Sequence, residues 1–144
     1  MTYAKLERKQ DLYLLKESDT AGLEILGSFL KSDVGYSRDS IESWIKYITD
    51  PNYDSTTSNY SFLDKEDGKL ILGREADLLD DDWEKAYEDA LELSPRQLID
   101  VLNSWYELCS RKPQEIIIAQ DSNNKITLEG RNFPVIGASG PNNS

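Results

Sequence analysis

The most regular apolar pattern in the chain runs from Leu98 through Val101, Leu102, Trp105 and Leu108 to Cys109. That spacing predicts a helix from Pro95 to about Arg111 with one buried stripe. Its start is marked three ways: Ser94 as N-cap, Pro95 at the first helical position, and Gln97 completing a capping box. Lys112-Pro113 ends it. A second stripe, Ile41, Trp44, Ile45 and Ile48, predicts a helix opened by a capping box of Asp39 and Glu42 and stopped at Asp50-Pro51. A third, Leu23, Leu26, Phe29 and Leu30, follows N-cap candidates Ser18-Asp19-Thr20, although Gly22 and Gly27 each oppose a helix by roughly 1 kcal/mol. A fourth helix is expected from about Asp81 to Leu93. Trp83, Ala86, Tyr87, Ala90 and Leu91 share its core face, and Glu84, Lys85, Glu88, Asp89 and Glu92 share its outer face.

Strand signals lie elsewhere. Tyr60–Leu63 and Lys69–Leu72 flank Asp67-Gly68, the dipeptide suited to a type I′ hairpin. Glu115–Ala119 is β-branched, Asp121–Asn124 is a turn cluster, and Lys125–Glu129 alternates. Residues 3–16 hold a short apolar run, Leu12–Leu15, that periodicity does not resolve, and residues 50–58 read as a polar loop. Because strands and helices do not alternate as βαβ units, the expected class is α+β: a small antiparallel sheet of two hairpins packed with about four helices. One domain is expected over 1–130, with 131–144, rich in Gly, Pro, Asn and Ser, as a poorly ordered tail.

Composition narrows the function. With 38% apolar and 30% charged residues, 144 residues suffice for a folded core. The net charge of −11 argues against binding nucleic acid or anionic membrane, and for a basic protein partner. No run is long and apolar enough for a bilayer span, and the first ten residues lack a signal-peptide core. One cysteine fits a reducing cytoplasm, the expected location.

Catalytic chemistry has few candidates. Without His, Ser-His-Asp and Cys-His arrangements and Cys/His zinc sites are excluded. Cys109 sits on an apolar stripe and reads as a buried structural thiol. Neither Gly68 nor Asp121 falls into the register of a calcium-binding EF-hand loop; Asp80-Asp81-Asp82 has only the makings of a weak cation contact. Neither a metal nor a cofactor is expected, nor an enzyme. Trp44, Trp83 and Trp105 all read as core.

What remains is the acidity of residues 75–92, nine carboxylates against Lys85 alone, a balance of −8. Part has a plain explanation: acids at a helix start, Asp81 with Glu84 as a cap, and a Lys85–Asp89 pair on a solvated face. Against that, Glu84, Glu88 and Glu92 repel one another at helical spacing, and few cations stand nearby to neutralise the field. Tyr53, in the polar loop, is either an exposed interface anchor or folded onto the core.

The segment Leu93–Tyr106, followed by Pro113–Ile118 and then Ile126–Gly130, resembles the small acidic immunity proteins of bacterial polymorphic toxin and contact-dependent inhibition systems. The likeness covers the last third of the chain and lies in size, acidity and a helix leading into a closing hairpin; it transfers no functional residue. It implies a cytoplasmic protein that binds and blocks one cognate toxin, commonly a nuclease. The contacts expected for such a role are Asp77, Asp80, Asp81, Asp82, Glu84, Glu88 and Asp89, with Tyr53. The alternative is a phage-type nucleic-acid mimic that inhibits a DNA-binding defence protein, for which the charge should be spread more widely.

Overall fold

A computed structural model describes residues 1–53, 55–58 and 60–132. The fold is α+β, with two four-stranded antiparallel sheets among the described residues instead of one small sheet. The first has the order β2-β1-β7-β8, from β1 (Thr2–Lys9), β2 (Leu12–Ser18), β7 (Glu115–Gln120) and β8 (Ile126–Arg131). The second has the order β3-β4-β5-β6, from β3 (Ser55–Thr57), β4 (Ser61–Glu66), β5 (Lys69–Arg74) and β6 (Leu91–Leu93). The ends of the described chain thus close one sheet, and its middle builds the other.

The stretch 3–16, which periodicity left open, is the β1–β2 hairpin. Its turn carries Gln10 at φ 59, without the Asn-Gly or Asp-Gly signature. Leu15 faces Leu6 while Glu17 faces Lys5, so Lys16 is an extra residue in β2 and shifts the alternation. Leu12 and Leu14 are exposed on this edge strand. Around Asp67-Gly68 the hairpin forms as expected, with both residues at positive φ. The polar loop holds β3, which extends the second sheet by an edge strand of Ser and Thr.

Helix α1 (Ala21–Ser28), capped by Thr20, continues into a π-helical turn (Phe29–Val34) and lies between the sheets. Its two glycines have a purpose there. A Cβ at Gly22 would stand 3.3 Å from Leu91 of the second sheet, and one at Gly27 would stand 3.2 Å from Leu15 of the first. Close approach to both sheets explains the weak helix formers. Helix α2 (Arg38–Thr49) is capped by Ser37, whose hydroxyl accepts from Ser40 N, and not by the expected Asp39–Glu42 box. Helix α5 (Pro95–Arg111) follows its sequence signals, capping box included. Trp105 is fully buried, and its indole N–H donates to Gly35 O at 2.8 Å. One apolar core draws on both sheets, α1, α2 and α5.

The helix expected over 81–93 is instead a shorter α4 (Trp83–Asp89) followed by strand β6, and a separate turn of helix, α3 (Glu75–Leu79), precedes them. Asp81, at φ 59, interrupts the helical path, and Ala90 is already extended. Leu91 and Leu93 pair with Leu72 and Leu70 and are buried, with Glu92 outward between them. Strand pairing outweighs helical periodicity at that end. Arg131, expected in the tail, ends β8; residues 133–144 lie outside those described.

Candidate protein-docking surface

Helices α3 and α4 lie against the face of the second sheet that points away from α1. Side chains 62, 64 and 66 of β4 point to that face, and Leu63 points to the core. Phe62 is paired directly across from Gly73, and its ring lies over the glycine where a side chain would otherwise be. Tyr87 of α4 packs on Phe62, with ring centroids 5.6 Å apart, and its hydroxyl donates to Asp64 Oδ2 at 2.5 Å. Ala86 is fully buried beside this contact. Arg74 donates to Asp89 of α4 at 3.2 Å and to Glu24 of α1 at 2.8 Å, tying the outer layer to the central helix. The main core takes no hydrophobic side chain from residues 75–90, so the acidic segment is a separately seated layer.

That seating overturns the core assignment of this segment. Trp83 is 54% exposed and Tyr87 38%, and the preceding Leu79 is 75% exposed. Only Ala86 of the expected apolar face is buried within α4. The Trp83 and Tyr87 rings are near parallel, 16° apart in orientation and 6.4 Å between centroids. With α4 seated through Ala86, the inner side of Tyr87 and the Arg74–Asp89 pair, Trp83 lies beside Tyr87 and leaves about half of its surface exposed. The hydrogen bond from Tyr87 to Asp64, with burial and the charges of Asp64 and Glu66, pushes its hydroxyl up to about 12.

The expected contact carboxylates divide into two groups. Asp77 is buried, with Lys85 Nζ 4.0 Å from its Oδ1 and no hydrogen-bond partner at its Oδ2 among the described residues. Asp89 is engaged with Arg74. The predicted Lys85–Asp89 pair is therefore replaced by Lys85–Asp77. The cap of α4 is Asp82, accepting from Lys85 N at 3.1 Å, and not Asp81. Glu92 lies in β6, 3.6 Å from Lys69, and takes no part in helical repulsion. Local cations thus offset three of the nine acids, more than the sequence suggested. Asp80, Asp81, Asp82, Glu84 and Glu88 remain exposed around Trp83.

Two acids outside the window join this side. Asp64 and Glu66 point to the same face of β4 as Phe62, and Asp64, Ile71 and Glu92 form one cross-strand row. Alternation along β4 was the signal for them, once the side of the sheet carrying α4 is known. Tyr53 is not brought to this surface. It is 55% exposed but packs on Tyr47 of α2, centroids 5.7 Å apart, and Tyr47 sits with Lys65 on the core side of β4.

Cys109, expected to be buried, is half-buried, and that burial pushes its thiol up to about 12, which keeps it protonated. A cleft of ≈ 170 Å³ beside Arg74 is lined by Glu24, Ser28 and Tyr60, and an open one of ≈ 420 Å³ between α5 and β8, lined by Glu107, Leu108, Arg111 and Glu129, exceeds the roughly 300 Å³ at which small-molecule sites begin. Among the described residues no group of three or more His, Cys, Asp or Glu is placed to hold a metal ion, and no helix is long and apolar enough to cross a membrane. Comparison with family models, curated proteins and solved structures finds no match for this chain.

Proposed function

We propose that this protein is an inhibitor that acts by binding, without catalysis or cofactor, and that its target is a basic protein. The observation that carries this reading is the pair of exposed aromatic rings, Trp83 and Tyr87, on a helix whose carboxylates Glu84 and Glu88, with Asp80, Asp81 and Asp82 before it, form no ion pair among the described residues. Aromatic residues at the centre of a patch supply affinity by desolvation, and surrounding charges supply steering and partner choice. The resemblance to immunity proteins adds the nature of the target: a cognate toxin in the cytoplasm, a nuclease whose phosphate-gripping surface is basic. An acidic layer seated over that surface would block substrate.

The nucleic-acid mimic has less support. Acids on the outer face of the first sheet are paired, Glu17 and Glu115 with Lys5 and Glu7 with Lys16, whereas residues 75–92 carry −8 of the chain's net −11.

The test is binding and inhibition with the toxin encoded beside this chain's gene. The informative variant is Asp80→Lys, Glu84→Lys, Glu88→Lys. It spares Asp77, which is buried, Asp81, whose positive φ disfavours lysine, Asp82, which caps α4, and Asp89, which holds Arg74. Affinity should fall about 100-fold at low salt and lose most of its dependence on ionic strength. Unchanged affinity with an unchanged salt slope would place the interface elsewhere.

A further inference from the structure

Trp83 is the largest exposed side chain on the docking surface, and its setting specifies what it meets. Its neighbour Tyr87 is fixed on both sides, by the Phe62 ring beneath and by the bond to Asp64 at its tip. Tyr87, the ring beside Trp83, is therefore held in place before any partner arrives, which lowers the entropic cost of binding. The chain's own cations do not cover it. Arg38 lies over Tyr106 and Lys65 over Tyr47, Lys85 turns to Asp77, and Arg74 is committed to Asp89 and Glu24. The indole N–H of Trp83 has no hydrogen-bond partner among the described residues. Carboxylates at 80, 82, 84 and 88 flank the ring along the chain, and Asp64 and Glu66 extend the acidity across the sheet.

We propose that the basic partner docks an arginine side chain flat on the exposed face of Trp83, with Glu84, Glu88 and the acids of β4 receiving the cations beside it. This rests on the basic-partner reading and assigns its anchor. Indole is the strongest of the aromatic faces for a cation. The guanidinium is planar, weakly hydrated and able to stack while its edges donate to carboxylates; an ammonium is compact and holds its water more tightly. A surface serving only as an acidic field would not distinguish the two cations.

The experiment titrates the protein with nona-arginine and nona-lysine peptides at low salt, following the three tryptophan indole N–H signals by NMR. Trp83→Leu is compared throughout, with its fold checked by circular dichroism. Trp83 lies outside the main core, so the variant should fold. The arginine peptide should bind about tenfold more tightly than the lysine peptide and shift the Trp83 signal far more than those of Trp44 and Trp105. In Trp83→Leu both peptides should bind at the lysine level. Equal binding of the two peptides, unaffected by Trp83→Leu but lost on reversing Asp80, Glu84 and Glu88, overturns the arginine anchor and leaves the acidic surface standing. Absence of binding by either peptide, or binding that survives the charge reversal, overturns both.

Discussion

Replacing Gly73 by alanine should loosen the whole docking layer from beneath. A Cβ on Gly73 would lie 2.3 Å from both Cε2 and Cζ of Phe62 and 3.2 Å from Cδ2. Carbon atoms in ordinary contact are about 3.5–4.0 Å apart, so the ring must retreat by more than about 1 Å. Phe62 is only 1% exposed, and the Tyr87 ring packs against it with centroids 5.6 Å apart. The ring has no empty space to enter and must push α4 outward. Removing a glycine from a strand by itself gains about 0.5–1 kcal/mol. Overpacking costs about 1–3 kcal/mol, and forcing the ring off its rotamer about 0.5–1.5 kcal/mol more. The clash wins, with a net loss of about 1–3 kcal/mol. Urea unfolding followed by circular dichroism should show a lower midpoint at unchanged slope, and amide exchange should accelerate across residues 83–89. Phe62→Ala removes the clashing ring, so the double variant should be more stable than the two single losses predict, by about 1 kcal/mol or more. A Gly73→Ala protein as stable as the parent, or losses that simply add, would refute the contact between this glycine and the ring that carries α4.

Three further outcomes test the surrounding structure. Glu84→Gln with Glu88→Gln removes an i,i+4 repulsion, so thermal stability should hold or rise by about 0.2–0.5 kcal/mol while partner binding weakens; a loss above about 1 kcal/mol would mean these acids have a structural task. The Tyr87 hydroxyl is raised from 10.0 to about 12 in the folded protein, so its stabilisation is complete below pH 10 and is lost as pH climbs from there through 12. Tyr87→Phe should remove one late-ionising tyrosine from an absorbance titration, and an unchanged late limb would contradict the bond to Asp64. Cys109, held protonated by burial, should react with iodoacetamide at pH 8 at least about 100-fold more slowly in the folded protein than in urea; equal rates would contradict its burial.

The sequence by itself determined the elements whose signals are local. Ser94, Pro95 and Gln97 cap α5, Asp67-Gly68 turns β4 into β5, and the Ile116–Leu128 region forms a hairpin, because caps, turns and alternation act over a few residues. It also determined the acidity, and that Asp80, Asp81, Asp82, Glu84 and Glu88 would face solvent.

Tertiary structure decided what depends on partners distant in the chain. The bulge at Lys16 hides β2 from a period-two pattern, and β6 exists because Leu91 and Leu93 meet Leu72 and Leu70 across the sheet. Asp77 and Asp89 turn inward, where Lys85 stands 4.0 Å from the first and Arg74 holds the second. The exposure of Trp83 and Tyr87 was decided in the same way. Helical periodicity tells which residues share a face but not whether anything covers it. Here the ring beneath is Phe62, lying over Gly73, and it meets one side of Tyr87 while Trp83 stays half exposed. That shortfall of buried surface turns an apolar helix face into an exposed one amid the charge.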